Sequence, residues 1–199
     1  MRLLVATRNQ GKVVELAEML GDLQISWLSL ADIGPSDDVA ETGSTFEANA
    51  ILKAKEYAAQ SGLLTLADDS GLEVDALDGR PGVHTARYGG PGLTPSQRYR
   101  ALLEELEDVP QGERGARFRC VVALAKPEGV VGTAHGVCEG TIAMEPAGDG
   151  GFGYDPVFFI PDWGKTMAQL PATEKHRISH RGRALAAITP LLRQTLDQA

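Results

Sequence analysis

Cysteine is nearly absent from this chain. Cys120 and Cys138 are the only two in 199 residues, and no CxxC pair occurs. That excludes a disulfide framework and leaves two reduced, partly buried thiols, which suits a reducing compartment. Long apolar runs are missing too, and none approaches the roughly 18 residues that a membrane span needs. The opening stretch Arg2-Leu3-Leu4-Val5-Ala6-Thr7 is too short and too soon polar for a signal peptide, and reads as a first strand. The expected location is the cytoplasm. Positive charge is in deficit, with 19 Lys and Arg against 27 Asp and Glu and a net charge of −8. Such a balance disfavours wrapping a polynucleotide, and leaves room for a small anion in a local basic pocket.

Two phosphate-binding signatures are also missing. The first glycine of a P-loop would be Ala6, and Val13 stands where its Ser or Thr belongs. Gly148-Asp149-Gly150-Gly151-Phe152-Gly153 matches GxGxxG in letters only. No clear strand leads into it, and the apolar run Pro156 to Ile160 follows instead of a helix. This stretch reads as a glycine-rich loop presenting Phe152, Tyr154 and Asp155, with Phe152 suited to stacking on a flat base or to core packing.

The sequence is organised around Leu66-Ala67-Asp68-Asp69-Ser70-Gly71-Leu72-Glu73-Val74. The apolar run Leu63 to Ala67 predicts a buried strand that delivers two adjacent carboxylates to its end, where ligands bind in open α/β sheets. Neighbouring strand residues point to opposite faces, so one acid can hold a metal or a water while the other braces the backbone. An isolated Asp-Asp turn in solvent is the plain alternative.

Around that stretch the pattern alternates. Leu3 to Thr7 predicts a strand, followed by the polar turn Arg8-Asn9-Gln10. A helix is predicted from Gly11 to Leu20, with Val13, Leu16, Ala17 and Leu20 on one face. Lys12 at its start lies where backbone N–H groups gather, either an anion site or a solvated lysine. Ile25 to Leu30 predicts a second strand and Asp32 to Ala40 a loop. Ser44 and Glu47 have the spacing of a capping box before a helix to about Ser61. Asn49 and Lys53 share one face of that helix. Glu73 to Leu77 predicts a short strand, Asp78 to Gly82 a turn, and Gly89 to Gly92 a loop. Thr94 and Pro95 open a helix to about Glu107. Arg117 to Ala125 and Val130 to Cys138 predict a hairpin with Arg119 facing away from its apolar neighbours. A closing helix is predicted from Ala184 to Leu196, kinked or interrupted at Pro190. No internal repeat or linker is visible.

The acids Glu41, Asp68, Asp69 and Glu73 stand against the bases Lys12, Lys53, Arg87, Lys175, Arg177 and Arg181. Carboxylates of this kind suit Mg²⁺, bases suit phosphates, and an aromatic residue on a glycine loop suits a nucleobase. The ordered set Thr7 to Lys12, Glu41-Thr42-Gly43 with Phe46, Asn49-Ala50 and Lys53, Ala67 to Leu72, Ala86-Arg87-Tyr88, Gly151 to Pro156, and Glu174-Lys175 with Ile178 to Arg181 resembles the inosine triphosphate pyrophosphatase family. Each motif is weak alone; the ordered set spans almost the whole chain. Arg8 departs from the commoner glycine, and His84-Thr85 from the commoner Tyr-Ser, which puts a substrate role for His84 in doubt.

The resemblance implies Mg²⁺-dependent hydrolysis of non-standard purine nucleoside triphosphates (ITP, dITP, XTP) to monophosphate and pyrophosphate. It implies an α/β fold, with an elongated mixed central sheet flanked by helices in two lobes and an active-site cleft between them. The whole chain, 1–199, would be a single nucleoside triphosphate pyrophosphatase domain, acting as a homodimer. By position, Thr7, Arg8, Asn9, Gln10, Gly11 and Lys12 would hold phosphates, with Lys53 and Ser70 also at the substrate. Glu41 and Asp69 would be at the metal, and Asp69 would accept the proton. Phe152, Gly153, Tyr154, Asp155, Lys175, His180 and Arg181 would form the base pocket. A Maf-type pyrophosphatase acting on other nucleotides is the nearest enzymatic alternative. A nucleotide sensor is the non-catalytic one, and the acids argue against it.

Overall fold

The computed structural model describes residues 2–21, 25–34 and 37–198. The elements begin with strand β1 (Arg2–Val5), helix α1 (Gln10–Leu20), strand β2 (Ser26–Ser29) and helix α2 (Phe46–Ser61). Strand β3 (Leu64–Val74), helix α3 (Pro95–Glu105) and the long strands β4 (Gly115–Lys126) and β5 (Gly129–Ile142) follow. Strands β6 (Phe158–Ile160) and β7 (Lys165–Thr166), then helices α4 (Ala172–Ile178) and α5 (His180–Asp197), complete the chain. The strands form one seven-stranded sheet in the order β2-β1-β3-β4-β5-β6-β7. β1 runs parallel to β2 and β3, whereas β6 is antiparallel to β5 and β7, so the sheet is mixed, as the resemblance implies.

The chain divides into two compact units. The first comprises Met1–Asp69, Cys120–Gly136 and Arg181–Ala199; the second comprises Ser70–Arg119 and Val137–His180. Each has its own apolar core. In the first, Leu3, Val5, Leu16, Leu20, Leu64, Leu66, Val122, Leu124, Leu185, Ile188 and Leu192 pack together. In the second, Leu72, Val74, Leu102, Leu106, Phe118, Ile142, Tyr154, Val157 and Phe158 do so.

Local chemistry explains most of the elements. Asn9 caps α1 by accepting from the Lys12 backbone N–H, and Leu16 and Leu20 of the anticipated face are buried. Thr94 and Gln97 form a reciprocal capping box, with Pro95 in the first turn of α3, a device worth about 1 kcal/mol. α2 buries Phe46, Asn49, Ala50, Lys53, Ala54, Tyr57 and Ala58 along one stripe.

Several expectations are corrected. The cap of α2 is Thr45, which accepts from the Ala48 N–H. Ser44 lies outside the helix, and Glu47 instead accepts from Thr133. The strand expected to stop at Ala67 continues as β3 through both acids to Val74. The separate strand from Glu73 to Leu77 is therefore the end of β3 followed by a 3-10 turn, Asp75–Leu77. β1 gives way at Val5, opposite Leu66. β4 lies on the other side of β3, and its pairing carries β3 onward. α3 ends at Glu105, and α5 starts at His180 and continues through Pro190. Pro190 is tolerated because it removes one helical N–H without ending the apolar stripe Leu185, Ile188, Leu192. α4 was not anticipated. The loop expected from Asp32 to Ala40 lies partly outside the described residues.

Candidate active site

The two central acids lie in the first unit, on β3 just past the end of β1. Alternation along the strand sends them to different partners, as expected. Asp68 is 2% exposed. Its Oδ2 pairs with Lys12 Nζ at 2.8 Å and Arg181 Nη2 at 3.4 Å. Arg181 in turn binds Glu15 Oε2 at 2.5 Å. Burial alone would raise the Asp68 carboxyl, but the charges of Lys12, Arg181 and Lys53 outweigh it and hold the group well below the usual carboxylate range. Asp68 is thus a fixed anion that anchors cations.

Asp69 belongs to a different group. Asn49 Nδ2 donates to its Oδ2 at 3.0 Å, and Lys53 Nζ stands 3.5 Å from its Oδ1. Lys53 Nζ also donates to Glu41 Oε1 at 2.7 Å and to the Asp68 carbonyl at 2.6 Å. Burial, reinforced by Glu41, raises the Asp69 carboxyl above its ordinary value despite Lys53 and Lys12. Lys53 stays charged, because Asp69, Asp68 and Glu41 outweigh the effect of burial on its ammonium. One of the adjacent acids is therefore locked as an anion, while the other is shifted toward accepting a proton.

The donor set suits Mg²⁺. Among the described residues, no three acidic, His or Cys side chains gather into a metal cage. Glu41 and Asp69 converge on one ammonium. Mg²⁺ typically takes one or two carboxylates and completes its shell with waters and substrate phosphates. Glu73 is not part of this group; it lies in the second unit, paired with Arg119 at 2.8 Å.

The turn before α1 carries the other phosphate candidates. The Thr7 hydroxyl accepts from the Asn9 N–H at 3.2 Å, and Asn9 caps the helix. Arg8 is exposed and pairs with Asp38 at 2.8 Å. Gln10, also exposed, is the first helical residue, and Gly11 is half-buried. Lys12 is in the first turn of α1, and its ammonium is engaged by Asp68.

In the second unit, Asp155 organises a separate group. Its Oδ2 accepts from Lys175 Nζ at 2.5 Å and from the Phe152 backbone N–H at 2.8 Å. The same ammonium lies 5.0 Å from the Phe152 ring centre, in cation–π range. Gly151 has φ +69°, and a Cβ there would come within 2.0 Å of Asp155 Oδ2. Only glycine fits that close approach. Gly153 also adopts a positive φ, and Ser70 is half-buried on β3.

The remaining base-side candidates have partners within the protein. Tyr154 points into the apolar core, its hydroxyl donating to the Thr85 carbonyl at 3.0 Å, and burial pushes its pKa up to about 12. His180 is buried and stacks on Phe118 at 4.7 Å. Arg181 joins the Asp68 group in the first unit. Arg87, considered for phosphate, donates to His84 Nδ1 at 3.2 Å. Glu15 was missed altogether, because a charged residue on an amphipathic helix gives no sign of burial until its partner is known.

The Ham1 family model matches residues 3–191. The chain belongs to the Ham1 family. The dITP/XTP pyrophosphatase of Geobacter sulfurreducens is 52% identical over 187 residues, covering 94% of each chain. The corresponding Shigella flexneri protein is 48% identical over 196 residues, covering 96% of this chain and 98% of its own. A solved Ham1 protein from Coxiella burnetii superimposes with a TM-score of 0.88 at 43% identity, covering 98% of this chain and 99% of its own. The expected mixed α/β fold is thus shared with a solved Ham1 protein.

Proposed function

We propose that this chain hydrolyses dITP, ITP and XTP to the corresponding monophosphate and pyrophosphate, keeping aberrant purines out of nucleic acids. One observation carries the reading. The chain is 52% identical, over almost its full length, to a dITP/XTP pyrophosphatase, and its Glu41, Lys53 and Asp69 converge on one point.

In this reading, the N–H groups opening α1, with Lys12 and Lys53, bind the triphosphate. Asp69, with its raised pKa, accepts the proton of the attacking water. The water oxygen bonds to the α-phosphorus, the bond from that phosphorus to the bridging oxygen breaks, and its electron pair leaves with pyrophosphate. Glu41, with Asp69 through a water, would hold Mg²⁺, which supplies charge neutralisation at the phosphates. Phe152 stacks on the base while Lys175, held by Asp155, presents a donor to a 6-oxo group. A 6-amino group would face that donor without an acceptor, at a cost of about 1–3 kcal/mol. We place the enzyme in the cytoplasm and expect a homodimer, which light scattering tests.

The primary test incubates purified protein and Mg²⁺ with ITP, dITP, XTP, GTP and ATP, and identifies the products. IMP plus pyrophosphate from ITP, with ATP and GTP nearly untouched, is the expected result. Nucleoside diphosphate plus phosphate would place cleavage at the wrong bond. No turnover of any purine would favour the Maf-type or sensor alternative.

A further inference from the structure

Asn49 lies in the first turns of α2 and is only 1% exposed. Its side-chain Oδ1 accepts from the Gly43 backbone N–H at 2.7 Å. That bond fixes the orientation of the amide, since only oxygen can accept there. The Nδ2 end must then face Asp69, and it donates to Oδ2 at 3.0 Å. Asn49 thereby links the segment carrying Glu41 to the carboxylate on β3. Gly43 is part of the same fit. A Cβ there would come within 2.7 Å of Asn49 Oδ1 and 2.8 Å of the Ala48 Cβ.

The two oxygens of Asp69 are consequently not equivalent. Oδ2 is occupied by a neutral donor that cannot give up its proton. Oδ1 faces the Lys53 ammonium at the longer distance of 3.5 Å, on the side where Glu41 also converges. A freely rotating carboxylate would offer either oxygen, in many orientations, to the water. A carboxylate pinned at one oxygen offers the other in a fixed direction, and such alignment governs proton transfer.

We propose that Asn49, clamped by the Gly43 N–H, is a positioning residue that pins Asp69 through Oδ2 so that Oδ1 receives the proton of the attacking water. The inference rests on the role assigned above to Asp69. In the step, the proton passes from water to Oδ1 as the water oxygen bonds to the α-phosphorus and pyrophosphate leaves.

The test compares wild type, Asn49→Ala, Gly43→Ala, the double variant and Asp69→Asn. Steady-state kinetics use dITP, calorimetry measures affinity for a non-hydrolysable dITP analogue, and circular dichroism confirms folding. Asn49→Ala should lower kcat on the order of a hundredfold, with KM and analogue affinity changed less than about threefold. Gly43→Ala should show the same split, because its methyl group displaces the Asn49 oxygen. The double variant should be little worse than either single one, because both break one clamp. A folded Asn49→Ala or Gly43→Ala enzyme with kcat within about twofold of wild type overturns the proposal, since the lost clamp should cost far more. So does a loss confined to KM, or multiplicative effects in the double variant. Should Asn49→Ala fail to fold, Gly43→Ala decides alone. Near wild-type turnover by Asp69→Asn would instead remove the role of Asp69 itself.

Discussion

Lys12 Nζ lies 2.8 Å from Asp68 Oδ2, a carboxylate whose side chain is only 1% exposed. This pair separates the roles of two adjacent acids. Asp68 neutralises Lys12 and, with Glu15, Arg181. Asp69 is left facing Lys53 and Glu41, with a pKa shifted the opposite way.

Asp68→Asn should destabilise the protein by about 3–5 kcal/mol at pH 7, because it strands buried cations. The native Asp68 carboxyl titrates below its unfolded value of about 3.9, so its stabilisation is fully present above that pH. As pH falls through the native pKa, the stabilisation is lost. Urea denaturation of wild type and variant should therefore show a gap that is widest near neutrality, begins to narrow below about pH 4 and closes only as pH falls through the native pKa. A gap independent of pH would refute this assignment.

Lys53→Met removes the ammonium shared by Glu41, Asp69 and the Asp68 carbonyl. Two carboxylates then face one another in a half-dry setting. Pyrophosphate release from dITP should fall by about 10² or more. If turnover stays within a few fold of wild type, the Lys53 group is scaffolding only.

Gly151→Ala cannot be accommodated where Asp155 stands. Displacing that carboxylate breaks its bonds to the Lys175 ammonium and the Phe152 N–H. KM for ITP should rise about tenfold, as when roughly one stacking or hydrogen-bond contact is lost. Phe152→Ala should raise KM similarly, with kcat much less affected. Unchanged KM in both variants would remove this group from base recognition.

The Cys120 thiol is pushed up to about 12, chiefly by burial and secondarily by Asp68. Little thiolate exists at neutral pH, so iodoacetamide should leave Cys120 unmodified in the native protein and label it in urea. Mass spectrometry of the peptide containing it checks this. Rapid labelling of the folded enzyme would contradict the buried setting.

The sequence by itself determined those features that depend on neighbours a few residues away. The Thr94-Pro95 helix start, the apolar stripe of α1, the β4–β5 hairpin and the opposite facing of Asp68 and Asp69 all follow from local chemistry and from periods of 3.6 and 2. The ordered motifs also identified the family. Contacts between distant segments were decided only by tertiary structure. Asp-Asp-Ser-Gly reads locally as a turn, because these residues are poor strand formers. Pairing in the sheet overrides that preference and carries β3 to Val74. That Arg181 bonds Glu15 and Asp68, far away in sequence, is not visible in its own motif. That Tyr154 packs into the core of the second unit is likewise decided by distant residues. In each case the partner that fixes the side chain's charge or burial lies dozens of residues away, and no local pattern encodes which partner that is.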